Sequence, residues 1–531
     1  MISHTGWAER GRSGLTDSTN ISSSAIVGDD RPTVVQSQFR RTVILVSVTI
    51  AGALQTLSAT IANAVLPQMQ GDLSAGLEEI SWVLTATMIG TAIGMPSAGW
   101  LGMRFGRRRC LLIALAIFTF ASGALGVATS LEEVVFWRTI QGLAGGPMLP
   151  LTMPILIDVY PKREHGMVMG FWAGGGMMGA IFGPPIGGFL AEIYNWRLAF
   201  VCMVPPSLIA YYMIALTVPH FKGRPSLRLD WIGFMSLATC LASLQIMLDR
   251  GNRLDWFESR EIVLWAVLTI TALYVFIVRC SYARQPFIDL RIFLHKNFSI
   301  CAFCMVIGGL TSFAGLMLLP SFLGRLQNLP LETVSLMLTP RGIGFMAGIF
   351  ILGHLIKIMD ARAMMALGFT IQAVAAWYMT TFDLTVGLYE VFIAGVGLGM
   401  GEAVLWIPLA ILAFAPLPAS LHDYAAAIIH SSRFFGGGIG ISLGVTILAR
   451  STQANRAELN EFLSPFNETL NAIGTQGMWN LSSIQGLMRM DFEVFRQASM
   501  IAYVNDFWAL ALSALIVLPL IVFLDRPQGV E

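Results

Sequence analysis

Charge is what this chain has least of. Asp, Glu, Lys and Arg make up only 12% of its 531 residues, against 55% hydrophobic ones. Soluble domains carry roughly 25% charged residues, so a water-soluble globular protein is excluded and an integral membrane protein is indicated. Cysteine is also scarce. The six are scattered or sit inside apolar runs, which excludes a disulfide framework. Cys301 and Cys304 form C-A-F-C within an apolar stretch. No His or charge is nearby to stabilise thiolates, so they read as a buried structural pair. The net charge of +1 gives no basic excess for nucleic acid. Histidines lie mostly in predicted loops, and no spacing suggests a metal site. No nucleophile–base set or phosphate loop marks an enzyme, and no cofactor is implied.

What is abundant is apolar sequence in membrane-length runs. A helix crossing a ~30 Å apolar core needs about 20 residues. Fourteen stretches qualify: 42–67, 80–102, 108–128, 132–156, 166–191, 198–218, 229–248, 262–280, 298–323, 333–357, 363–382, 386–414, 423–448 and 503–524. The polar, Ser/Thr/Gly-rich residues 1–41 read as a disordered tail without a secretory signal.

Positive charge orients the spans. The even-numbered connections hold fifteen Lys and Arg: Arg104, Arg107, Arg108, Arg109, Lys162, Arg163, Lys222, Arg224, Arg228, Arg279, Arg284, Arg291, Lys296, Lys357 and Arg362. The short connections opposite hold five: Arg197, Arg250, Arg253, Arg260 and Arg325. Both termini are therefore expected in the cytoplasm. The polar connection 449–502 is expected outside and partly folded, because it carries Phe462, Phe466, Met478 and Trp479.

The fifth span contains G-A-I-F-G-P-P-I-G-G at 179–188. In a soluble helix such a run would cost roughly 1 kcal/mol per Gly and 3 per Pro. In a membrane it is tolerable when neighbouring helices cover the bared backbone. The segment predicts a bent, tightly packed helix, either a packing face alone or part of a transport mechanism. A weak internal repeat also runs through the chain: G-W-L at 99–101 with Arg108 is echoed by G-H-L at 353–355 with Arg362. The repeat divides the chain into six-helix bundles at 42–218 and 298–524, around an inserted pair at 229–280.

Five stretches carry a family resemblance. They are T-I-A-N-A-V-L-P at 60–67, G-W-L-G-M-R-F-G-R-R-R at 99–109, R-T-I-Q-G-L-A-G-G-P at 138–147, the 179–188 segment, and L-Q-I-M-L-D-R-G-N-R-L-D-W-F at 244–257. From about Thr42 to Leu524 the chain resembles the fourteen-span drug:proton antiporters of the major facilitator superfamily, in particular the EmrB-type multidrug efflux pumps of Gram-negative bacteria. The resemblance implies an all-α polytopic fold in the inner membrane, two six-helix bundles plus two inserted helices. It implies export of small amphipathic compounds against entering protons, with a periplasmic adaptor and an outer-membrane channel as partners. Gly179, Gly183, Pro184, Gly187 and Gly188 match the antiporter motif of that family. Gly99, Arg104, Gly106 and Arg107 match its cytoplasmic latch, although a plain topology anchor explains these residues equally well.

The chain departs from the family at two acids. Ser58 stands where the family usually has a first-span Asp, and Met103 where it has an acid in the latch motif. At 1.5 Å per residue, Ser58 and Arg138 both fall in the outer third of a ~30 Å core. Gln55, Ser58, Asn63 and Gln141 are then the candidate partners of Arg138, which either pins its bundle or meets an anionic substrate. Glu402 and Arg433 lie at roughly 18 and 15 Å from the cytoplasmic ends of their spans. They form either a structural ion pair or a relocated proton-coupling site, since intramembrane acids are natural proton carriers. Arg341 is expected to face the cavity or pin the bundle interface. Trp82, Trp172 and Trp406 either line a polyspecific pocket or pack. Asp506 reads as an interfacial group near the start of the last span. The competing readings are a uniporter or anion exporter without a first-span acid, and a non-transporting sensor or scaffold.

Overall fold

The computed structural model describes residues 37–525 except 162–163, 221–222, 224–225, 284, 328, 356–357, 419–420 and 464–482. Most of the expected tail, the charges Lys162, Arg163, Lys222, Arg224, Arg284 and Lys357, and the aromatic patch at Phe466, Met478 and Trp479 lie outside the described residues.

Helices dominate because apolar backbone in lipid must satisfy its own hydrogen bonds. In order they are α1 (Gln38–Asp72), α2 (Leu77–Phe105), α3 (Arg107–Leu125), α4 (Leu131–Gly145), α5 (Met148–Val159), α6 (His165–Ile193), α7 (Trp196–Val201), α8 (Val204–Thr217), α9 (Trp231–Gly251) and α10 (Arg260–Tyr282). There follow α11 (Lys296–Leu326), α12 (Leu331–Leu355), α13 (Ala361–Met379), α14 (Leu388–Phe414), α15 (His422–Glu461), α16 (Ile484–Ile516) and α17 (Leu518–Ile521). α4 with α5, α7 with α8, and α16 with α17 each make one apolar span. Among the described residues, thirteen spans are long and apolar enough to cross a membrane. The remaining expected span, the eleventh, 363–382, is α13. It is a complete helix but less apolar than the others, and it packs between α14 and α16.

Local chemistry sets the helix ends. Ser130 Oγ accepts from Glu133 N–H at the start of α4, and Asp230 Oδ1 accepts from Gly233 N–H at the start of α9. A single residue, Gly106, separates α2 from α3. Its φ of 89° is one that a side chain would strain.

The helices sort into two bundles. α1 lies along α6, α2 along α4, and α3 against α4 and α8; α11 lies along α15, and α14 against α12 and α13. The bundles meet where α2 faces α15 and where α6 faces α12. Met177, Ile181, Phe345 and Ala403 form a small apolar core at the second contact. α9 sits against α2 and α15 together. Thr85 Oγ1 donates to Asp249 Oδ2 at 2.6 Å, and Ser442 Oγ donates to the Leu248 carbonyl at 2.8 Å. α10 packs on α9 and exposes Leu264, Val267, Ile270 and Tyr274, an apolar face suited to lipid.

The connection expected at 449–502 to be partly folded is helical on either side of residues 464–482. α15 runs unbroken for 40 residues and α16 for 33, lengths of ~60 and ~50 Å against a ~30 Å core. Both helices project beyond the bundle as an antiparallel pair. Arg456 is ion-paired with Asp491 at 2.6 Å, and Asn455 Nδ2 donates to the Ala498 carbonyl at 3.3 Å. Hydropathy marked where the apolar stretch ends; helix pairing decides where the helix ends.

Candidate functional site

Buried charge concentrates in the second bundle. Glu402 on α14 has a 1% exposed side chain and accepts from two arginines. Arg341 Nη2 on α12 reaches its Oε2 at 3.0 Å, and Arg433 Nη2 on α15 reaches its Oε1 at 2.7 Å. Arg341 Nη2 also donates to the Ser312 carbonyl on α11 at 3.1 Å. The triad therefore joins four helices of one bundle and carries two positive charges against one negative.

The two arginines are not equivalent. Arg341 is enclosed, with 7% of its side chain exposed, whereas Arg433 retains 18%. Arg433 lies over the rings of Trp406 and Phe313, at 4.9 and 5.3 Å. Trp406 in turn lies against His430, whose other side meets Trp172 of the first bundle, both at 5.8 Å between centroids. Trp172 Nε1 donates to Thr152 Oγ1 at 3.0 Å. A chain of ring contacts, tilted between Trp406 and His430 and edge-to-face between His430 and Trp172, thus crosses the bundle interface beside Arg433. Trp82 is elsewhere, at the α9 end of α2 under Arg250.

Arg138 occupies the first bundle and is fully buried. Its Nη1 donates to the Ser58 carbonyl, Ser58 Oγ and Gln141 Oε1 at 3.2, 3.1 and 2.7 Å, and its Nε donates to the Val83 carbonyl at 3.3 Å. Phe200 lies under the guanidinium at 5.4 Å. Of the expected partners, Ser58 and Gln141 are engaged. Gln55 is buried near Gly145 instead, and Asn63 is exposed on another face of α1. All four oxygens are neutral. The expected outcome for Ser58→Asp is a gain of about 1–3 kcal/mol, because it supplies the missing counter-charge within reach. Thermal unfolding in detergent measures it; a fall in midpoint shows that the neutral oxygens already suffice.

At the arginine-rich face Arg107 joins the bundles. It donates to Asp158 of α5 and to both carboxylate oxygens of Asp423 on α15, at 2.7 and 3.0 Å for the latter pair. A Cβ on Gly99 would sit 3.2 Å from the Asp423 carbonyl, so α2 and α15 touch there. Arg104 takes no part in the pairing and leans over Phe105. The repeat does not reproduce this contact in the second half. Arg362 pairs locally with Asp360 and donates to the Leu524 carbonyl. Gly353 has open space around it.

In the glycine-rich segment α6 passes through Pro184 and Pro185 without a break. Gly179 and Gly183 face α1 so closely that a Cβ would overlap Ala53 O and Thr56 Oγ1, or Thr60 Oγ1. At Gly187 a Cβ would meet Ile61 Cγ1 at 2.7 Å. Thr56 Oγ1 donates to the Gly176 carbonyl at 2.6 Å across the same seam. Gly188 is half-buried and turned to the side of this row.

The sequence pattern of the Major Facilitator Superfamily matches residues 48–449. The chain belongs to that superfamily. It is 29% identical over 498 residues to the Escherichia coli multidrug export protein EmrB, covering 92% of this chain and 96% of that one. It is 26% identical over 489 residues to the Neisseria gonorrhoeae fatty acid resistance protein FarB, covering 91% and 96%. It is 24% identical over 413 residues to the Acinetobacter baumannii colistin resistance protein EmrB, covering 77% and 81%. Among solved structures it is similar to a bacterial homolog of the human lysosomal transporter Spinster in an inward-facing, occupied conformation. The TM-score is 0.55 at 14% identity, covering 92% of this chain and 98% of that one, which establishes the shared fold. This is a multi-pass major facilitator transporter related to multidrug and fatty acid resistance exporters.

One functional candidate in this transporter escaped sequence reasoning. His430 lies within an apolar span rather than a loop, and only the arrival of α6 and α14 gives it two indole neighbours. Arg341, expected to face the cavity or pin the bundle interface, contacts Glu402 inside the second bundle. Its depth was readable, but the direction it faces around the helix was not.

Proposed function

We propose that this protein is a proton-coupled exporter of small amphipathic compounds that works by alternating access. The observation that carries this reading is the sharing of one buried carboxylate, Glu402, by Arg341 and Arg433 inside the second bundle, with Arg433 beside the ring contacts that cross to the first. Protonation of Glu402 would weaken both ion pairs together and free Arg433, the more exposed partner, which among the described residues would keep only its contacts with Trp406 and Phe313. A neutral Glu402 beside two cations is disfavoured, so proton binding and substrate release would be linked through Arg433. The Arg107–Asp423 contact supports a state in which the arginine-rich ends are joined, and rocking of the bundles would break it. The excess of Lys and Arg on that face supports placing it, with both termini, in the cytoplasm of a bacterial inner membrane. The projecting α15–α16 pair then lies in the periplasm, where it offers contact to an adaptor protein leading to an outer-membrane channel.

The test is reconstitution in liposomes under an inward proton gradient, following lumenal pH while amphipathic cations, neutrals and anions are added. Substrate-dependent proton flux is expected in the wild type and a loss of at least tenfold in Glu402→Gln. Full proton-coupled transport by Glu402→Gln rules out Glu402 as the coupling site. The excess positive charge of Arg138 and of the triad favours a second reading, an exporter of anionic lipid-like compounds; movement of anions without proton flux selects it.

A further inference from the structure

Asp506 stands apart from every group used above. It lies on α16 one turn after Tyr503 and one turn before Leu510, on the face that packs into the cluster of Phe322, Phe382, Tyr503 and Phe507. The sequence placed it at the membrane interface. The structure instead buries it to 1% exposure, and among the described residues neither carboxyl oxygen has a hydrogen-bond partner.

Among the described residues, few titratable or charged groups approach from the elements packed on α16. Tyr503 shares its face. α13 brings Tyr378 at its outer end, in ring contact with Phe382. α11 has no ionisable residue between Cys304 and Arg325, and α15 has none between Arg433 and Arg450. Arg450 is exposed. α17, Leu518–Ile521, has no ionisable residue.

Among the described residues a carboxylate here would have neither counter-charge nor donor, at a cost of several kcal/mol. A protonated carboxyl loses only hydrogen bonds to water, about 1–3 kcal/mol. The buried form is therefore the neutral acid. Its surroundings are also closed. Phe322 meets Tyr503, Phe507 and Phe382 at 5.5, 6.2 and 6.2 Å between centroids. Among the described residues no group of side chains here could hold a metal ion with its oxygen ligands. The ligand that fits is a proton.

We infer that Asp506 is a second proton-binding site, separate from the Glu402 triad and lying towards the opposite face from the Arg107 contact. It holds its proton while α11, α13 and α16 are packed together. When α16 shifts and water enters, the carboxyl O–H bond breaks, the proton passes to that water, and the carboxylate is left hydrated. A shift of α16 is tied to the rest of the mechanism through α15. The Arg456–Asp491 and Asn455–Ala498 contacts fasten the two helices, and α15 also carries Arg433 and Asp423.

The test uses the full chain in liposomes, comparing wild type, Asp506→Asn, Asp506→Glu and Glu402→Gln. Infrared difference spectra in the transporter's resting state should show the carbonyl stretch of a protonated acid. That band is expected to vanish in Asp506→Asn, to shift in Asp506→Glu and to persist in Glu402→Gln. Transport in Asp506→Asn is expected to lose part of its pH dependence, with Asp506→Glu restoring it, while thermal stability stays near that of the wild type. A wild type without the band, a band unchanged in both Asp506 variants, or a pH profile of Asp506→Asn that superimposes on the wild type overturns the proposal. Should Asp506→Asn fail to fold, the shift in Asp506→Glu decides. Loss of transport in Glu402→Gln with the band intact speaks to the triad and leaves the Asp506 site standing. A band present while no substrate drives proton flux counts against the coupling reading alone.

Discussion

Glu402→Ala is expected to lower the stability of this transporter by about 3–5 kcal/mol, because it strands two charges in a place that cannot hydrate them. Among the described residues, Arg341 would keep only the Ser312 carbonyl, and Arg433 only the faces of Trp406 and Phe313. Neither Nε has a hydrogen-bond partner among the described residues even with Glu402 present, so little spare acceptor capacity exists. The more enclosed Arg341 should account for most of the loss. Glu402→Ala with Arg341→Met should then recover more stability than Glu402→Ala with Arg433→Met, since Arg433 has partial access to water. Thermal unfolding of the single and double variants, read as a double-mutant cycle, checks this. Equal recovery by the two partners would contradict the asymmetry. The same measurement guards the transport test, in which Glu402→Gln keeps an amide oxygen for one arginine and is expected to be milder.

Gly179→Val is expected to abolish folding or transport, and Gly176→Val to be tolerated, although both lie on α6 three residues apart. A Cβ at 179 would overlap the Ala53 carbonyl, which is helix backbone and cannot rotate away, and Thr56 Oγ1 as well. α1 and α6 would have to separate along the seam that Gly175, Gly183 and Gly187 also form. Overpacking of this kind costs about 1–3 kcal/mol for a single methylene and more for a branched side chain. Gly183→Ala should be milder than Gly179→Ala, because there the first obstacle is the Thr60 hydroxyl, a side chain able to turn. At Gly176 nothing lies within 4 Å of a Cβ, so Gly176→Ala should be neutral or gain up to ~1 kcal/mol from helix propensity. Yield of folded protein and substrate transport across this series check the order. A Gly179→Val protein as stable and active as Gly176→Val would show that the seam is looser than drawn.

Asp506 and Glu402 illustrate how differently one helical protein treats two buried acids. Glu402 meets two guanidiniums and is ionised at a structural cost that the pairs offset. Asp506 has no hydrogen-bond partner among the described residues, and we infer that it is neutral. Both sit in apolar sequence, and nothing in their flanking residues distinguishes them.

The sequence by itself determined the fold class, the approximate spans and the charge asymmetry between faces. Each of these follows from one-dimensional composition in a solvent that is apolar for ~30 Å and aqueous beyond. It also determined the depth of intramembrane charges, since rise per residue is constant; that is why Glu402 and Arg433 could be matched in level, and Ser58 with Arg138. The tertiary structure decided everything that depends on direction around a helix. It brought Arg341 to Glu402, turned Asn63 away from Arg138, set His430 between two indoles and enclosed Asp506. It also decided that α15 and α16 continue past the apolar stretch. The physical reason is that burial and pairing are properties of neighbouring helices, and a 3.6-residue period fixes which side chains share a face without fixing what that face will meet.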